Sequence, residues 1–293
     1  MRLLIFGLGY AASRVAERVA GDGWHVAGTT RGGPLRFDDG EAVAREFAGA
    51  THILSSVPPE GDADPVLAAY GAQIVRSRAW LGYLSSTGVY GDAAGAWVDE
   101  TAPIRGRRAA RNAADAAWLA LGARVFRLPG IYGPGRSPFD RVAQGKAHRV
   151  GLSDQIFSRV HVDDIARGVV AGFDGPAGAY NLADDLPCAQ DEVIEFAAAS
   201  LGLPPPPIVS LDTLSPMARA FYAENRRVAN GKARRLLGWR PLFPDYRAGL
   251  RAVSAITSPV SATTAPAAAS SDQRYPSNSV ESSIAITGVT TPE

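Results

Sequence analysis

Short apolar runs alternate with helix-like segments over residues 1–130, and this alternation constrains the fold more than any other feature of the sequence. The apolar runs predict strands at Arg2–Phe6, Trp24–Thr29, His52–Val57, Trp80–Ser85 and Arg124–Leu128, with a possible short strand at Leu35–Phe37. Helical periodicity predicts helices at Tyr10–Ala20, Glu41–Ala48, Asp64–Arg78 and Ala109–Leu121. This order is typical of a doubly wound α/β fold, in which helices cover both faces of a parallel sheet.

A glycine-rich turn follows the first predicted strand. The segment Gly7-Leu8-Gly9-Tyr10-Ala11-Ala12 is a G-x-G-x-x-A pattern between a strand and a helix, the context in which this pattern binds a dinucleotide. The first glycine permits the tight turn, the second lets the backbone approach a pyrophosphate, and the alanine allows close helix–strand packing. We therefore predict cofactor contacts from Gly7, Gly9, Tyr10 and Ala12. The alternative is a glycine turn of another α/β protein.

The end of the second predicted strand bears on which dinucleotide is bound. NAD-binding units usually place a carboxylate there for the ribose hydroxyls, whereas this chain has Thr29-Thr30-Arg31. A hydroxyl and a guanidinium suit a 2′-phosphate, so Thr30 and Arg31 favour NADP(H), with NAD(H) left open. Asp38 is a candidate for the adenine edge. The alternatives are a solvated Arg31 and a loop-capping Asp38.

The charge balance argues against two classes of partner. Lys and Arg total 30 and Asp and Glu total 29, so the formal net charge is +1, which predicts neither nucleic acid nor an anionic membrane surface as a partner. No apolar window approaches the roughly 18 residues of a membrane span. The single cysteine, Cys188, argues against a cysteine-based metal site, so no metal is predicted. The N-terminus shows no signal-peptide pattern, which predicts a cytoplasmic location.

The sequence pattern changes again towards the C-terminus. After about residue 130 the alternation loosens, and from Thr257 to Glu293 the chain is rich in Ser, Thr, Pro and Ala with no sustained period. Such a segment cannot bury enough apolar area to offset the entropy of ordering it. We predict one domain over residues 1–256 and a disordered low-complexity tail over 257–293. A regulatory tail is the alternative.

Four further motifs occur in a characteristic order. They are Ser85-Ser86-Thr87-Gly88-Val89-Tyr90-Gly91-Asp92, Arg127-Leu128-Pro129-Gly130-Ile131-Tyr132-Gly133-Pro134-Gly135, Val160-His161-Val162-Asp163-Asp164 and the segment Ala229–Pro241. This set resembles the extended short-chain dehydrogenases/reductases, the NAD(P)-dependent epimerase/dehydratase family, and its short glycine spacing is similar to an atypical bacterial branch called YeeZ-like. The resemblance covers about residues 1–253. It implies a Rossmann core, about residues 1–130 with segments of the C-terminal half, and a smaller C-terminal α/β substrate lobe, mostly 135–253.

The resemblance also implies roles for individual residues. Ser86 takes the place of the family's catalytic Ser/Thr, whose hydroxyl hydrogen-bonds the substrate carbonyl or alcohol. The segment Ser55-Ser56-Val57 takes the place of the loop that lies against the cofactor. Pro129 and Gly130 fall where the chain passes the nicotinamide. The dehydratase members have an Asp-Glu pair where this chain has Thr87 and Gly88, so dehydration of that type is rejected.

One departure from the family concerns its central acid/base pair, a Tyr four residues before a Lys. This chain has only two lysines, Lys146 and Lys232, and a valine stands four residues before each of them. The resemblance places Arg111 at the lysine position and the tyrosine position on or near Arg107. An arginine there can still bind ribose hydroxyls or a phosphate, so Arg111 is predicted to contact the cofactor. It cannot donate a proton near neutral pH, because the pKa of a guanidinium is too high.

Other groups near the motifs are weaker candidates for proton transfer. These are Tyr83, Tyr90, Tyr132 and His161, and each also has an ordinary packing role. The arginines at 105, 107, 108 and 111 either bind an anionic substrate or form the solvated start of a helix.

Taken together, these features predict an NAD(P)-binding oxidoreductase or epimerase-like protein that favours NADP(H) and acts on a small polar substrate without the Tyr/Lys pair. The alternative is a catalytically silent dinucleotide-binding sensor or scaffold. A third reading is another nucleotide bound for regulation, since a Rossmann core alone does not fix function. Homodimerisation through Asp64–Arg78 and Ala109–Leu121 is a family-level expectation.

Overall fold

Alternating strands and helices make up residues 1–257, the part of the chain that the computed structural model describes. The strands are β1 (Arg2–Phe6), β2 (His25–Gly28), β3 (His52–Ser55), β4 (Trp80–Ser86), β5 (Trp97–Val98), β6 (Arg124–Leu128), β7 (Gly130–Tyr132), β8 (Ile156–Phe157), β9 (Arg159–His161), β10 (Gly178–Asn181), β11 (Cys188–Ala189) and β12 (Arg227–Val228). The helices are α1 (Tyr10–Gly21), α2 (Gly40–Ala48), α3 (Pro65–Arg76), α4 (Ala109–Ala120), α5 (Pro138–Ala143), α6 (Val162–Ala171), α7 (Gln190–Ser200), α8 (Pro216–Phe221), α9 (Gly231–Leu237) and α10 (Tyr246–Thr257). The tail predicted over 257–293 lies, beyond Thr257, outside the described residues.

Six parallel strands form the central sheet in the order β10-β6-β4-β3-β1-β2. Side chains of β1 alternate between two cores: Leu3 and Ile5 pack on the face that carries α1 and α6, and Leu4 and Phe6 pack on the face that carries α3 and α4. Both faces of the sheet are therefore covered, and the predicted doubly wound α/β fold is confirmed.

The strand order reverses between β1 and β3, because the chain passes from β1 to β2 on one side and then to β3 on the other. In open parallel sheets, ligands bind in the crevice at the carboxyl ends of the strands where this reversal occurs. The turn at Gly7 follows β1 directly, and Ser56 follows β3 directly. The fold therefore brings two of the segments selected from the sequence to the same place.

The possible short strand at Leu35–Phe37 does not form. Only one isolated bridge, between Thr30 and Arg36, connects this segment to the end of β2. Its apolar character has another cause: the ring of Phe37 packs edge-on against Tyr70, with centroids 5.4 Å apart, and against Phe6 at 6.2 Å. A loop that contributes one aromatic side chain to the core thus resembles a strand in sequence.

The chain after residue 130 both completes the sheet and builds a second layer of structure. Strand β10 adds beside β6, and α6 packs against α1. Three small two-stranded sheets, β7-β9, β8-β11 and β5-β12, lie outside the central sheet. A separate core of Tyr132, Phe139, Val193, Tyr246 and Leu250 holds α5, α7 and α10 together. Within residues 1–257, no helix combines the length and apolar character needed to cross a membrane.

Candidate functional site

The turn from Gly7 to Gly9 is fixed by contacts to the ends of β2 and β3. The buried Thr29 accepts the amide of Gly7 on its hydroxyl at 3.0 Å and the amide of Leu8 on its carbonyl at 2.8 Å. Gly7 has φ +83°, and a Cβ there would lie 2.8 Å from Cγ2 of Val57. Both the backbone conformation and the close approach require glycine at this position.

The N-terminus of α1 is open to a ligand. Gly9 is its N-cap, no side chain caps the helix, and no acidic residue occurs in the first turn. A Cβ on Gly9 would meet no atom within 4 Å, so the space beside this glycine is open. These amides have no partner within the helix and carry the positive end of the helix dipole, which fits a pyrophosphate. Ala12 is fully buried against the sheet, as its predicted packing role requires.

Tyr10 connects this helix to the C-terminal half of the chain. Its hydroxyl donates to the carbonyl oxygen of Pro134 at 3.0 Å, and the guanidinium of Arg136 lies 5.7 Å from the centre of its ring. Gly133 makes room for this contact, because a Cβ there would be 2.7 Å from the Tyr10 hydroxyl oxygen. Tyr10 therefore joins the turn at Gly7 to the loop that follows β7.

The segment Ser55-Ser56-Val57 lies directly against the glycine turn. The hydroxyl of Ser56 donates to the carbonyl oxygen of Gly7. The hydroxyl of Ser55 is fully buried and has no hydrogen-bond partner among the described residues. A buried hydroxyl without a partner is uncommon in a folded protein and is consistent with a site that a polar ligand completes.

The predicted 2′-phosphate residues follow β2 on an exposed loop. The hydroxyl of Thr30 accepts the amide of Gly33 at 2.6 Å and so closes the loop. Arg31 is exposed, and its guanidinium forms no hydrogen bond or ion pair within residues 1–257. Asp38 is held by Arg36 through two hydrogen bonds of 2.9 and 2.7 Å, and this bonding lowers the pKa of the Asp38 carboxyl. Asp38 therefore forms an ion pair with Arg36, and an adenine ring at this position would contact the pair rather than a free carboxylate.

A cleft of about 1060 Å³ lies beside these loops, between the carboxyl ends of β4 and β6 and the C-terminal half of the chain. Of the predicted site residues, Ser86, Arg111, Pro129 and Gly130 line it. The glycine turn, the loop from Thr30 to Asp38, and Ser55–Val57 lie outside its lining. The structure thus separates the predicted residues into one group around the ends of β1, β2 and β3 and another group that lines the cleft around Ser86.

Ser86 ends β4 and caps the 3-10 turn Thr87–Tyr90. Its hydroxyl oxygen accepts the amide of Gly88 at 3.1 Å. Because this bond uses a lone pair of the oxygen, the hydroxyl proton stays available for a group in the cleft. The side chain is half-buried, so it is both positioned and accessible.

A buried polar network lies beneath Ser86. The guanidinium of Arg127 donates to the carboxylate of Asp115 twice, at 2.7 and 3.1 Å, and to the hydroxyl of Tyr90 at 3.0 Å. Ser85 donates to the same carboxylate at 2.7 Å, and Tyr90 donates to Asn181 at 2.7 Å. The network fixes both the residue before Ser86 and the last residue of the turn after it. Nothing in the sequence indicates that Arg127 joins Tyr90 to Asp115, because the three residues lie on separate elements.

The four weaker acid/base candidates are all held in packing roles. Burial raises the pKa of Tyr90 to about 12, despite the neighbouring Arg127, and burial also raises the pKa of Tyr83 and Tyr132. His161 is buried, accepts the amide of Asp163 as the N-cap of α6, and has its pKa lowered by burial. Of these four groups, Tyr132 alone lines the cleft, and its raised pKa keeps its hydroxyl protonated near neutral pH.

Arg107, which the resemblance aligns with the family's tyrosine, bridges the two sides of the cleft. Its guanidinium donates to the carboxylate of Glu224 at 2.6 Å and to the carbonyl oxygen of Ala220 at 2.9 Å. Glu224 also accepts from Arg226 at 2.6 Å. Arg107 therefore connects the loop before α4 to the C-terminal end of α8 and the segment that follows it. In contrast, Arg111 makes no side-chain hydrogen bond or ion pair in the described part of the chain.

Comparison with curated proteins finds two informative relatives, while no family model matches the chain. The chain is 31% identical over 142 residues to a 3-diazoavenalumate denitrifying reductase from Streptomyces, a match that covers 44% of this chain and 46% of that reductase. It therefore spans less than half the length of this relative. It is 26% identical over 286 residues to Protein YeeZ from Escherichia coli, covering 83% of this chain and 97% of YeeZ.

Solved structures give matches over most of the chain. A functionally unknown conserved protein from Silicibacter pomeroyi is 43% identical, with a TM-score of 0.78 over 87% of this chain and 98% of its own. MoeE5 in complex with UDP-glucose and NAD is 19% identical, with a TM-score of 0.70 over 86% and 96%. The human epimerase family protein SDR39U1 with NADPH is 16% identical, with a TM-score of 0.70 over 87% and 99%. The last two structures are less than 25% identical to this chain, so they support the fold alone.

Proposed function

We propose that this chain is a YeeZ-like member of the NAD(P)-dependent epimerase/dehydratase family of short-chain dehydrogenases/reductases, and that it is an NADP(H)-dependent oxidoreductase acting on a small polar substrate. The observation that carries the proposal is the position of Ser86. Ser86 lines a cleft at the same sheet edge as the open N-terminus of α1, and the bond from the Gly88 amide does not use its hydroxyl proton. A dinucleotide extending from the glycine turn along this edge would bring its reactive end towards that hydroxyl.

The bound dinucleotide would supply or accept a hydride. The amides at the start of α1 would hold its pyrophosphate, and Ser55-Ser56-Val57 would lie along it. Arg31 would pair with a 2′-phosphate, while Pro129, Gly130 and Arg111 would line the end nearer the cleft. Ser86 would donate its hydroxyl proton in a hydrogen bond to the substrate oxygen, which polarises the reacting carbon.

Proton transfer in this protein would not use a Tyr/Lys acid/base pair, which this chain lacks. Arg107 is engaged by Glu224 and Ala220, and a guanidinium cannot release a proton near neutral pH. The proton would come from water in the cleft or from the substrate itself. The name of the Streptomyces relative, a denitrifying reductase, favours reduction over epimerisation as the direction of chemistry.

A catalytically silent dinucleotide sensor is the second candidate. The observation that favours it is the same ion pair of Arg107 with Glu224, which occupies the place of an acid/base group with a structural link. The two candidates differ in one measurable respect, because a sensor binds NADPH without oxidising it in the presence of any substrate.

The cofactor preference is tested by calorimetric titration of the full chain with NADPH and with NADH. We expect Arg31→Ala to weaken NADPH binding by about 1–3 kcal/mol and to leave NADH binding unchanged, because only NADPH carries the 2′-phosphate. Arg78→Ala is the matched control, since Arg78 is also exposed but precedes β4 at the opposite edge of the sheet. Equal losses for both cofactors would rule out the 2′-phosphate role of Arg31.

The role of Ser86 is tested by turnover rather than binding. We expect Ser86→Ala to keep NADPH affinity and to lower the rate of NADPH oxidation about 100-fold or more, since it removes the donor to the substrate oxygen. Ser86→Thr keeps the hydroxyl and should retain most of the rate. The assay follows NADPH oxidation with a panel of small aldehydes, ketones and imines. An alanine variant as fast as the wild type would remove Ser86 from the mechanism.

A further inference from the structure

Three aromatic side chains form one wall of the cleft around Ser86. The rings of Phe157 and Phe221 stack face to face, with centroids 4.4 Å apart and an interplanar angle of 7°. Tyr222 stands edge-on to both, at 5.7 and 5.5 Å. Although it lies in this stack, Phe221 is 51% exposed. A stacked pair with one ring still accessible offers a surface on which a further planar ring can pack.

Two unpaired arginines form what we call the basic edge of the same cleft. Arg108 and Arg111 line the cleft, and their guanidinium groups make no hydrogen bond or ion pair with any described residue. They belong to the start of α4, which has no side-chain N-cap and no acidic residue in its first turn. The backbone there adds the positive end of a helix dipole to two free cations.

The segments that carry the aromatic wall and the basic edge are joined by a hydrogen bond. Arg107, the residue before Arg108, donates to the carbonyl oxygen of Ala220, the residue before Phe221, at 2.9 Å. Both features line the same cleft, so one molecule with a ring and an acidic group can contact both of them.

The charge of the cleft is unbalanced. Seven arginines and His148 line it, against two acidic residues, Asp140 and Glu224. Glu224 is already neutralised by Arg107 and Arg226. The surplus of positive charge favours an anion, and a planar fork of donors such as a guanidinium matches a carboxylate well.

We propose that this cleft binds an aryl carboxylate, with its ring on the wall of Phe221 and Tyr222 and its carboxylate at Arg108 and Arg111. The inference rests on the proposed function, because such a molecule would be the substrate or product of the reaction at Ser86. A nucleotide also joins an aromatic ring to an anion, but it places a ribose between them. We commit to the aryl carboxylate, and the nucleotide is the competing outcome that the experiment tests.

The experiment is calorimetric titration of the full chain with cinnamate, in the absence and presence of NADPH. Three further probes isolate each feature: cinnamyl alcohol lacks the charge, cyclohexanecarboxylate lacks the aromatic ring, and uridine monophosphate presents the ring and anion of a nucleotide. We expect cinnamate to bind and the two truncated probes to bind about tenfold more weakly or worse. Tighter binding of uridine monophosphate than of cinnamate would overturn the proposal.

Two variants connect this binding to the named residues. Phe221→Leu and Arg108→Gln should each weaken cinnamate binding about five- to tenfold, while NADPH binding stays as in the wild type. The matched controls are Trp97→Leu, an exposed aromatic outside the cleft, and Arg105→Gln, an exposed arginine of the same segment that does not line it. Wild-type cinnamate affinity in both test variants would overturn the proposal. If the unmodified chain does not bind NADPH, the proposed function is overturned instead.

Discussion

Replacing Arg127 by leucine is expected to lower the free energy of unfolding by about 3–5 kcal/mol. The side chains of Arg127 and Asp115 are only 3% and 1% exposed, so the substitution leaves a buried carboxylate without its counter-ion. Leucine also removes the donor to the Tyr90 hydroxyl. Equilibrium unfolding in urea, followed by circular dichroism, measures the loss.

A double variant separates the ion pair from simple loss of packing. Arg127→Leu combined with Asp115→Leu removes both charges, so much of the stability lost in the single variant should return. If the double variant instead shows the sum of two independent losses of stability, the two charges are not coupled.

The folded fraction of the Arg127→Leu protein should also oxidise NADPH more slowly than the wild type. Ser85 and Tyr90 lie on either side of Ser86 in the sequence, and both are hydrogen-bonded within this network.

Elements with a continuous local signal were predictable from the sequence. Strands β1 and β6 have the predicted bounds, because in each strand every residue after the first is buried and most of these residues are apolar. The glycine turn was predictable for a similar reason, since a positive φ and a close approach to Val57 both demand glycine at one position. These features depend on neighbours in the sequence or on a single residue type.

Features that depend on remote pairing were not predictable. Strand β10 completes the sheet beside β6 about fifty residues later, and nothing in its four residues indicates that partner. Arg107 and Glu224 are 117 positions apart, so the sequence showed a basic segment but not which of its arginines is neutralised. For the same reason, the aromatic wall of Phe157, Phe221 and Tyr222 appears only once the chain is folded.

Asp184 is a buried carboxyl three residues beyond the end of β10. It is 2% exposed, and neither of its oxygens has a hydrogen-bond partner of normal geometry among residues 1–257. Burial raises the pKa of Asp184 to about 8, and the nearby Arg159 only partly offsets this effect. The folded protein therefore keeps this proton at pH values where the unfolded chain, with an ordinary aspartate pKa of about 3.9, has released it.

The sign of the pH dependence follows from this difference. Between about pH 4 and about pH 8 the folded state binds one more proton than the unfolded state, so Asp184 makes stability fall as the pH rises, by on the order of 1 kcal/mol per pH unit. Asp184→Asn removes the titrating carboxyl group but keeps the shape of the side chain. We expect the free energy of unfolding of Asp184→Asn to equal that of the wild type near pH 4, and to exceed it increasingly as the pH rises towards about 8.

Asp164→Asn is the control, because we expect it to destabilise the protein, whereas Asp184→Asn should stabilise it. Asp164 is also buried with a raised pKa, caused by burial, but its two oxygens accept the amides of Leu242 at 2.6 Å and Phe243 at 3.0 Å. Asp164→Asn turns one acceptor into a donor facing an amide, so it should destabilise the protein by about 1–3 kcal/mol at the acidic end of the range, where Asp184→Asn matches the wild type. Urea unfolding of both variants across the same pH range tests the contrast. A constant difference between Asp184→Asn and the wild type at all pH values would mean that Asp184 is ionised in the folded protein and that a cation or water reaches it.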